Sequence, residues 1–197
     1  ETEVKSFDLA QRTLTLNDGQ TLSYDLLLGA DGANSAVAKA AGISVRGWDY
    51  GMRCLLAIAE VEQPLPTATW EVFRADGPYA LLPLGAHLAC LIDYRAEEEW
   101  RNAATAEVEQ NLQATFTDVI GPYKLQKHAS FPLRRQRALR YFDPRGVALI
   151  GDAAHSIHPL AGQGVNLGFT DVQVLFEQLG KEPVNVALAN YARQQVK

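Results

Sequence analysis

Residues 146–168 read GVALIGDAAHSIHPLAGQGVNLG, and the punctuation of this stretch decides the fold. Val147, Ala148, Leu149 and Ile150 form an unbroken apolar run, the pattern of a parallel strand covered on both faces. Gly151 then permits a tight turn that leaves Asp152 at the strand's carboxyl end, where open α/β sheets bind ligands. Gly162, Gly164 and Gly168 let a ligand approach the backbone. A helix starting among them offers unpaired N–H groups and the positive end of its dipole. The plain alternative is a strand-to-helix turn with an ordinary glycine cap.

The pattern occurs twice, which weighs against that alternative. Leu26, Leu27 and Leu28 run into Gly29, Ala30, Asp31 and Gly32, followed by Ala33, Asn34 and Ser35. Together, GADGANS and the later GDAAH with its Pro and GQG-x-N resemble the fingerprints of flavoprotein aromatic hydroxylases of the p-hydroxybenzoate hydroxylase type. The resemblance extends over nearly the whole chain. RGWDY (46–50), TWEVFRADGPYALLPL (69–84) and FPLRR (131–135) are similar to the ubiquinone-biosynthesis branch, the hydroxylases of polyprenyl benzoquinols and phenols.

The resemblance implies an α/β (α+β) fold: a three-layer FAD-binding domain, incomplete here, interleaved with an antiparallel-sheet substrate domain. Residues 1–42 and 141–197 are assigned to the first, and residues 43–140 to the second. Such hydroxylases open with a strand, a G-x-G-x-x-G turn and a helix that hold the FAD pyrophosphate. Residues 1–45 contain no such pattern, and the chain starts at Glu1 with Met52 as its sole methionine. The expectation is therefore a carboxyl-side portion of a longer enzyme, inactive alone.

The activity implied is FAD-dependent monooxygenation of a polyprenyl benzoquinol or phenol in ubiquinone biosynthesis, through a flavin C4a-hydroperoxide that gives its distal oxygen to an electron-rich ring. A flavin oxidoreductase of the same fold without hydroxylation, or a non-catalytic remnant serving as an interaction module, stays open as an alternative. The reductant is open too, between NAD(P)H and a separate reductase. By the same resemblance Asp152, with Gly151 before it, bonds the ribityl chain. Gly162, Gln163, Gly164, Val165 and Asn166 face the isoalloxazine ring, with the Val165 and Asn166 N–H groups supporting negative charge at its N1 and C2=O edge. Pro159 stiffens the loop beside the ring. Asp31 and Gly32 border the pyrophosphate. Many relatives carry Arg three residues beyond the Ser35 position, where this chain has Ala38 and then Lys39, so no charge contact is assigned there.

His158 lies near the expected flavin face and is the one candidate for a catalytic proton carrier, whereas His155 is read as bonded within its turn. Trp70, Phe73, Tyr79 and Leu82, with Leu81, are candidates for the wall of an aromatic substrate cavity, although strand alternation sends some to the opposite face and core packing is the commoner fate of such residues. No His or Cys spacing suits a metal.

Composition sets the remaining bounds. With 47% hydrophobic and 21% charged residues, 197 residues suffice for one domain or two small ones. A net charge of −5 argues against a nucleic-acid partner. Arg134, Arg135 and Arg137 make the densest basic run, read as a solvated loop or domain edge. Cys54 and Cys90 sit in apolar runs as buried free thiols. No run is long enough for a transmembrane helix, and no signal peptide is visible. A cytoplasmic location is expected. A polyprenylated substrate further implies peripheral contact with the inner membrane and with other proteins of the pathway, and an incomplete domain implies self-association.

Local patterns fill in the elements. Thr13–Leu16 and Thr21–Tyr24 flank Asn17-Asp18-Gly19 as a hairpin. Leu26–Gly29 reads as a strand covered on both faces, and Ser35–Ala41 as a short helix. Antiparallel strands are expected over 52–61, 68–73, 79–84 and 87–94, with a further one at Phe131–Leu133. A single helix is expected over 97–120, with Trp100, Ala104, Val108, Leu112, Phe116 and Ile120 inward, and another over 164–179 with Val165, Phe169, Val172, Phe176 and Leu179 as its buried stripe.

Overall fold

A computed structural model of the chain describes residues 2–159 and 162–195. The architecture is mixed α/β, with two units that the chain enters, leaves and re-enters. One comprises Glu1–Trp48 and Arg134–Lys197, the other Asp49–Leu133.

In the first unit, strands β1 (Val4–Asp8), β2 (Thr13–Leu16) and β3 (Thr21–Ser23) form an antiparallel sheet in that order. The expected hairpin is β2 and β3, with β1 added at its edge. Strands β4 (Leu27–Gly29), β10 (Phe142–Asp143) and β11 (Val147–Leu149) form a second sheet, ordered β10-β11-β4. Here β11 is parallel to β4, with Leu149 beside Gly29. All three residues of β11 are fully buried, as their continuous apolarity requires. Strand β4 departs from expectation: Leu28 is 42% exposed, so one face of this strand is open. Helix α1 (Ala36–Ala40) starts at the Ser35 cap, whose side chain accepts from the Ala38 N–H at 2.9 Å. Gly29 permits its close approach, since a Cβ there would lie 2.8 Å from Leu149 Cδ2 and 3.0 Å from Val37 Cβ. Helices α4 (Gly164–Leu179) and α5 (Val184–Gln195) add Leu175, Leu188 and Tyr191 to the core built on Val147–Leu149.

The second unit is built on β5 (Val45–Val61), β6 (Trp70–Val72), β7 (Tyr79–Gly85), β8 (Leu88–Ala96) and β9 (Tyr123–Ala138). These belong to a six-stranded sheet ordered β12-β9-β5-β8-β7-β6, with β12 at His155–Ser156. The expected helix is two: α2 (Glu97–Arg101) and α3 (Thr105–Ile120). Asn102 leaves helical geometry at φ −131°, and Ala104 is extended at φ −66°, ψ 152°. Ala104, expected inward, is exposed where the helix breaks, and the rest of the stripe is as the period predicts. Trp100, Val108, Leu112, Phe116 and Ile120 are buried against Leu55, Leu81 and Leu91 of the sheet. Cys54 is buried and Cys90 half-buried, both free thiols, and burial pushes Cys54 up to about 12 despite a hydrogen bond with Tyr94.

Helix α4 carries the main correction. Val165, Phe169, Val172 and Phe176, expected to be buried, are 68%, 68%, 48% and 76% exposed. The face turned inward is one residue around the helix, with Asp171 and Leu175 as its buried residues. Gly168 lies on that face, and a Cβ there would come within 3.4 Å of Gly151 Cα. The glycine pair thus lets the helix close on the turn, and the apolar stripe faces away from it.

Candidate functional site

Because β4 and β11 are parallel and in register, the Asp31-Gly32 and Gly151-Asp152 turns leave the sheet at the same end. The two strand ends are joined by the Ile150 N–H, which donates to the Gly29 carbonyl at 3.0 Å. Asp31 and Asp152 therefore follow neighbouring strand ends, as two halves of one site require.

The Asp31 carboxylate receives the Ala36 N–H at 2.7 Å and the Val37 N–H at 3.2 Å, so it caps α1. Burial would raise its pKa, but hydrogen bonds from the Ser35 hydroxyl and the Val37 and Ala36 N–H groups carry it below the ordinary value. Gly32 has φ +79° and open space where a Cβ would stand, so backbone is presented bare at this turn.

On the second turn, Gly151 takes φ +58° and opens a single 3-10 turn, Gly151–Ala153, on which Asp152 is exposed. Asp171 fixes this turn from α4: its Oδ2 accepts the Gly151 N–H and pairs with His155 Nε2, each at 2.8 Å. Tyr141 lies beside the imidazole with ring centroids 5.8 Å apart, and the Tyr191 hydroxyl donates to the Leu149 carbonyl at 2.7 Å. Asp171 is fully buried, and its Oδ1 has no partner among the described residues. Neither Asp171 nor Tyr191 was evident as a site residue. The signal for Asp171 was a lone acid in phase with Gly164, Gly168 and Leu175 along the helix.

His158 and Pro159 are half-buried. Residues 160 and 161 lie outside the described chain. Gly162 has φ +63°, its N–H donates to the Pro159 carbonyl at 2.9 Å, and among the described residues no atom lies near the Cβ position of Gly162 or Gly164. Helix α4 starts with no side-chain cap at Gln163, so the N–H groups at Gly164, Val165 and Asn166 point out of the helix unsatisfied by it. A flavin fits such a setting: bare glycine backbone, uncapped N–H donors for an electron-rich edge, and an exposed carboxylate for hydroxyls.

The candidate substrate residues do not share one face. Trp70 and Tyr79 meet edge to face at 6.1 Å, Tyr79 meets Phe116 at 5.4 Å, and both join the core under α3 with the fully buried Leu81. Leu82 points to the other face of β7, and Phe73 is 70% exposed. No cluster of His, Cys, Asp or Glu among the described residues has metal-binding geometry.

This fold is that of an FAD-binding protein. The chain belongs to the FAD binding domain family, whose pattern matches residues 6–184. It is 42% identical over 169 residues to the 3-demethoxyubiquinol 3-hydroxylase of Escherichia coli K12, covering 84% of this chain and 43% of that protein. With the rat mitochondrial ubiquinone biosynthesis monooxygenase COQ6 it shares 36% identity, covering 87% of this chain and 44% of the relative. The chain thus spans less than half the length of these relatives. Among solved structures, the Diels-Alderase PyrE3 superposes with a TM-score of 0.81 at 23% identity, over 99% of this chain and 44% of that one, a likeness of fold alone.

Proposed function

We propose that the protein carrying this chain is an FAD-dependent monooxygenase that hydroxylates a polyprenyl benzoquinol or phenol in ubiquinone biosynthesis. The observation that carries the reading is the pairing of two aspartate-bearing turns, Asp31-Gly32 and Gly151-Asp152, at one end of adjacent parallel strands, followed by a helix start without a side-chain cap. Similarity to two ubiquinone-pathway oxygenases supports the substrate class.

In this reading Asp152 accepts hydrogen bonds from the ribityl hydroxyls, and the Gly151 turn keeps it at the strand end. The Gly162–Asn166 backbone holds the flavin edge, with the Val165 and Asn166 N–H groups donating to its most electron-rich atoms. Pro159 stiffens the entry to that loop, and the Asp31-Gly32 turn borders the diphosphate. FAD, when bound, supplies oxygen activation and transfer of one oxygen atom to the ring. His158 is the group proposed to move the phenolic proton, and Phe73, presented on the surface of the second unit, the side chain proposed to meet substrate. Residues 1–42 and 141–197 serve the cofactor and residues 43–140 the substrate. Substrate of this kind brings the protein to the inner membrane from the cytoplasmic side, beside other proteins of the pathway.

The test is oxygen uptake by the purified protein with a short-chain quinol, read with product mass. Substrate-dependent uptake and a gain of one oxygen atom are expected. Flavin reduction without a heavier product would favour a plain oxidoreductase, and no flavin at all a binding module.

A further inference from the structure

The basic run at the end of β9 and the start of the neighbouring β5 together line a cavity of about 450 Å³. Arg46, Arg135 and Arg137 line it with Trp48 and Leu139, and no carboxylate is among the lining residues. In a chain of net charge −5, three guanidiniums around one hollow run against the average. The floor is built for close approach: a Cβ on Gly47 would lie 3.3 Å from the Arg135 carbonyl oxygen. Gln136 donates to the Ala33 carbonyl, and Arg137 is held over the Tyr141 ring at 5.7 Å. Around this floor, large apolar side chains stand in solvent. Trp48 is 69% exposed and Leu139 63%.

We infer that this patch is the surface by which the protein docks on anionic phospholipid, a headgroup phosphate seated among Arg46, Arg135 and Arg137 while Trp48 and Leu139 enter the interface. Guanidinium pairs with phosphate through two parallel hydrogen bonds, and tryptophan prefers the headgroup level of a bilayer. Arginines without a carboxylate, next to a tryptophan and a leucine standing mostly in solvent, combine charge complementary to an anionic surface with apolar side chains that can enter it, which is the make-up of an interfacial anchor. The inference deepens the function proposed above, since a polyprenyl quinol resides in the bilayer.

The experiment is sedimentation of the full-length holoprotein with vesicles of phosphatidylcholine, with and without phosphatidylglycerol, for the wild type, Arg46→Gln/Arg135→Gln and Trp48→Ala. Each basic contact near an anionic surface is worth about 1 kcal/mol, so the double variant should bind on the order of 10-fold more weakly or worse. Trp48→Ala should lose binding as well, and thermal midpoints and turnover of a water-soluble quinol should stay at the wild-type level. Unchanged vesicle binding by the double variant would overturn the inference. So would a wild type that ignores the vesicles but takes up inorganic phosphate or a nucleoside diphosphate through these arginines. Patch-dependent vesicle binding without hydroxylation of any quinol would retain the surface and overturn the proposed activity instead.

Discussion

The Asp171 carboxylate lies 2.8 Å from His155 Nε2, and this contact, with the Gly151 N–H on the same oxygen, ties helix α4 to the turn that carries Asp152. A fully buried acid holding two donors is the fastening of the site. Asp171→Ala takes the acceptor from two part-buried donors, each hydrogen bond contributing about 0.5–1.5 kcal/mol. A loss of about 1–3 kcal/mol in urea unfolding is expected, with Asp171→Asn milder because it keeps an acceptor. A wild-type midpoint for the alanine variant would remove Asp171 from this role.

Gly29 sits where β4, β11 and α1 converge. A methyl group there meets Leu149 Cδ2 at 2.8 Å and Val37 at 3.0 Å, closer than carbon atoms pack. Gly29→Ala should therefore cost about 1–3 kcal/mol by overpacking. Val37→Ala in the same chain should recover part of it, which distinguishes crowding from a backbone effect. No recovery in the double variant would point to the backbone.

The exposed stripe Val165, Phe169, Val172 and Phe176 predicts that these 197 residues self-associate when expressed by themselves. Phe169→Ser with Phe176→Ser should shift sedimentation toward monomer while leaving stability within about 0.5 kcal/mol, as surface changes do. A wild-type chain that stays monomeric at high concentration would contradict this.

Acid titration separates another contact. Asp143 accepts from Arg145 Nε at 2.7 Å and Nη2 at 3.0 Å, and this pairing with the Arg145 side chain holds its pKa below the usual carboxylate value even though burial opposes it. A group whose folded pKa is depressed contributes stability above its unfolded pKa, near 3.9, and loses it as pH falls through the lower folded value. Asp143→Asn should accordingly lower stability at neutral pH and flatten its decline below about pH 4. Parallel acid curves for the two proteins would exclude the pairing as a source of stability.

Much of this was legible in the sequence, for reasons particular residues make plain. Val147–Leu149 announced a buried parallel strand because no polar residue interrupts it, and the Gly-Asp pair fixed where that strand stops. The α3 stripe from Val108 to Ile120 followed from its period. The inward face of α4 did not. A period search favours the stripe with more apolar side chains, yet burial went to the face where Gly168 allows contact and Asp171 finds the Gly151 N–H. Asp31 showed a similar limit, since its spacing marked a turn without revealing that its carboxylate caps α1. The basic run at Arg135 and Arg137 read as a solvated edge because its opposite wall, Arg46 and Trp48, is nearly ninety residues away in the chain.

The central claim is that the strand-end turn carrying Asp152 holds FAD, and the most direct measurement is the FAD dissociation constant of the full-length protein with and without Asp152→Ala. Losing a hydrogen bond to a carboxylate is worth about 1.5–3 kcal/mol, so affinity should fall on the order of 10- to 100-fold with the unfolding midpoint of the flavin-free protein unchanged. Equal FAD affinity in the two proteins would contradict the account.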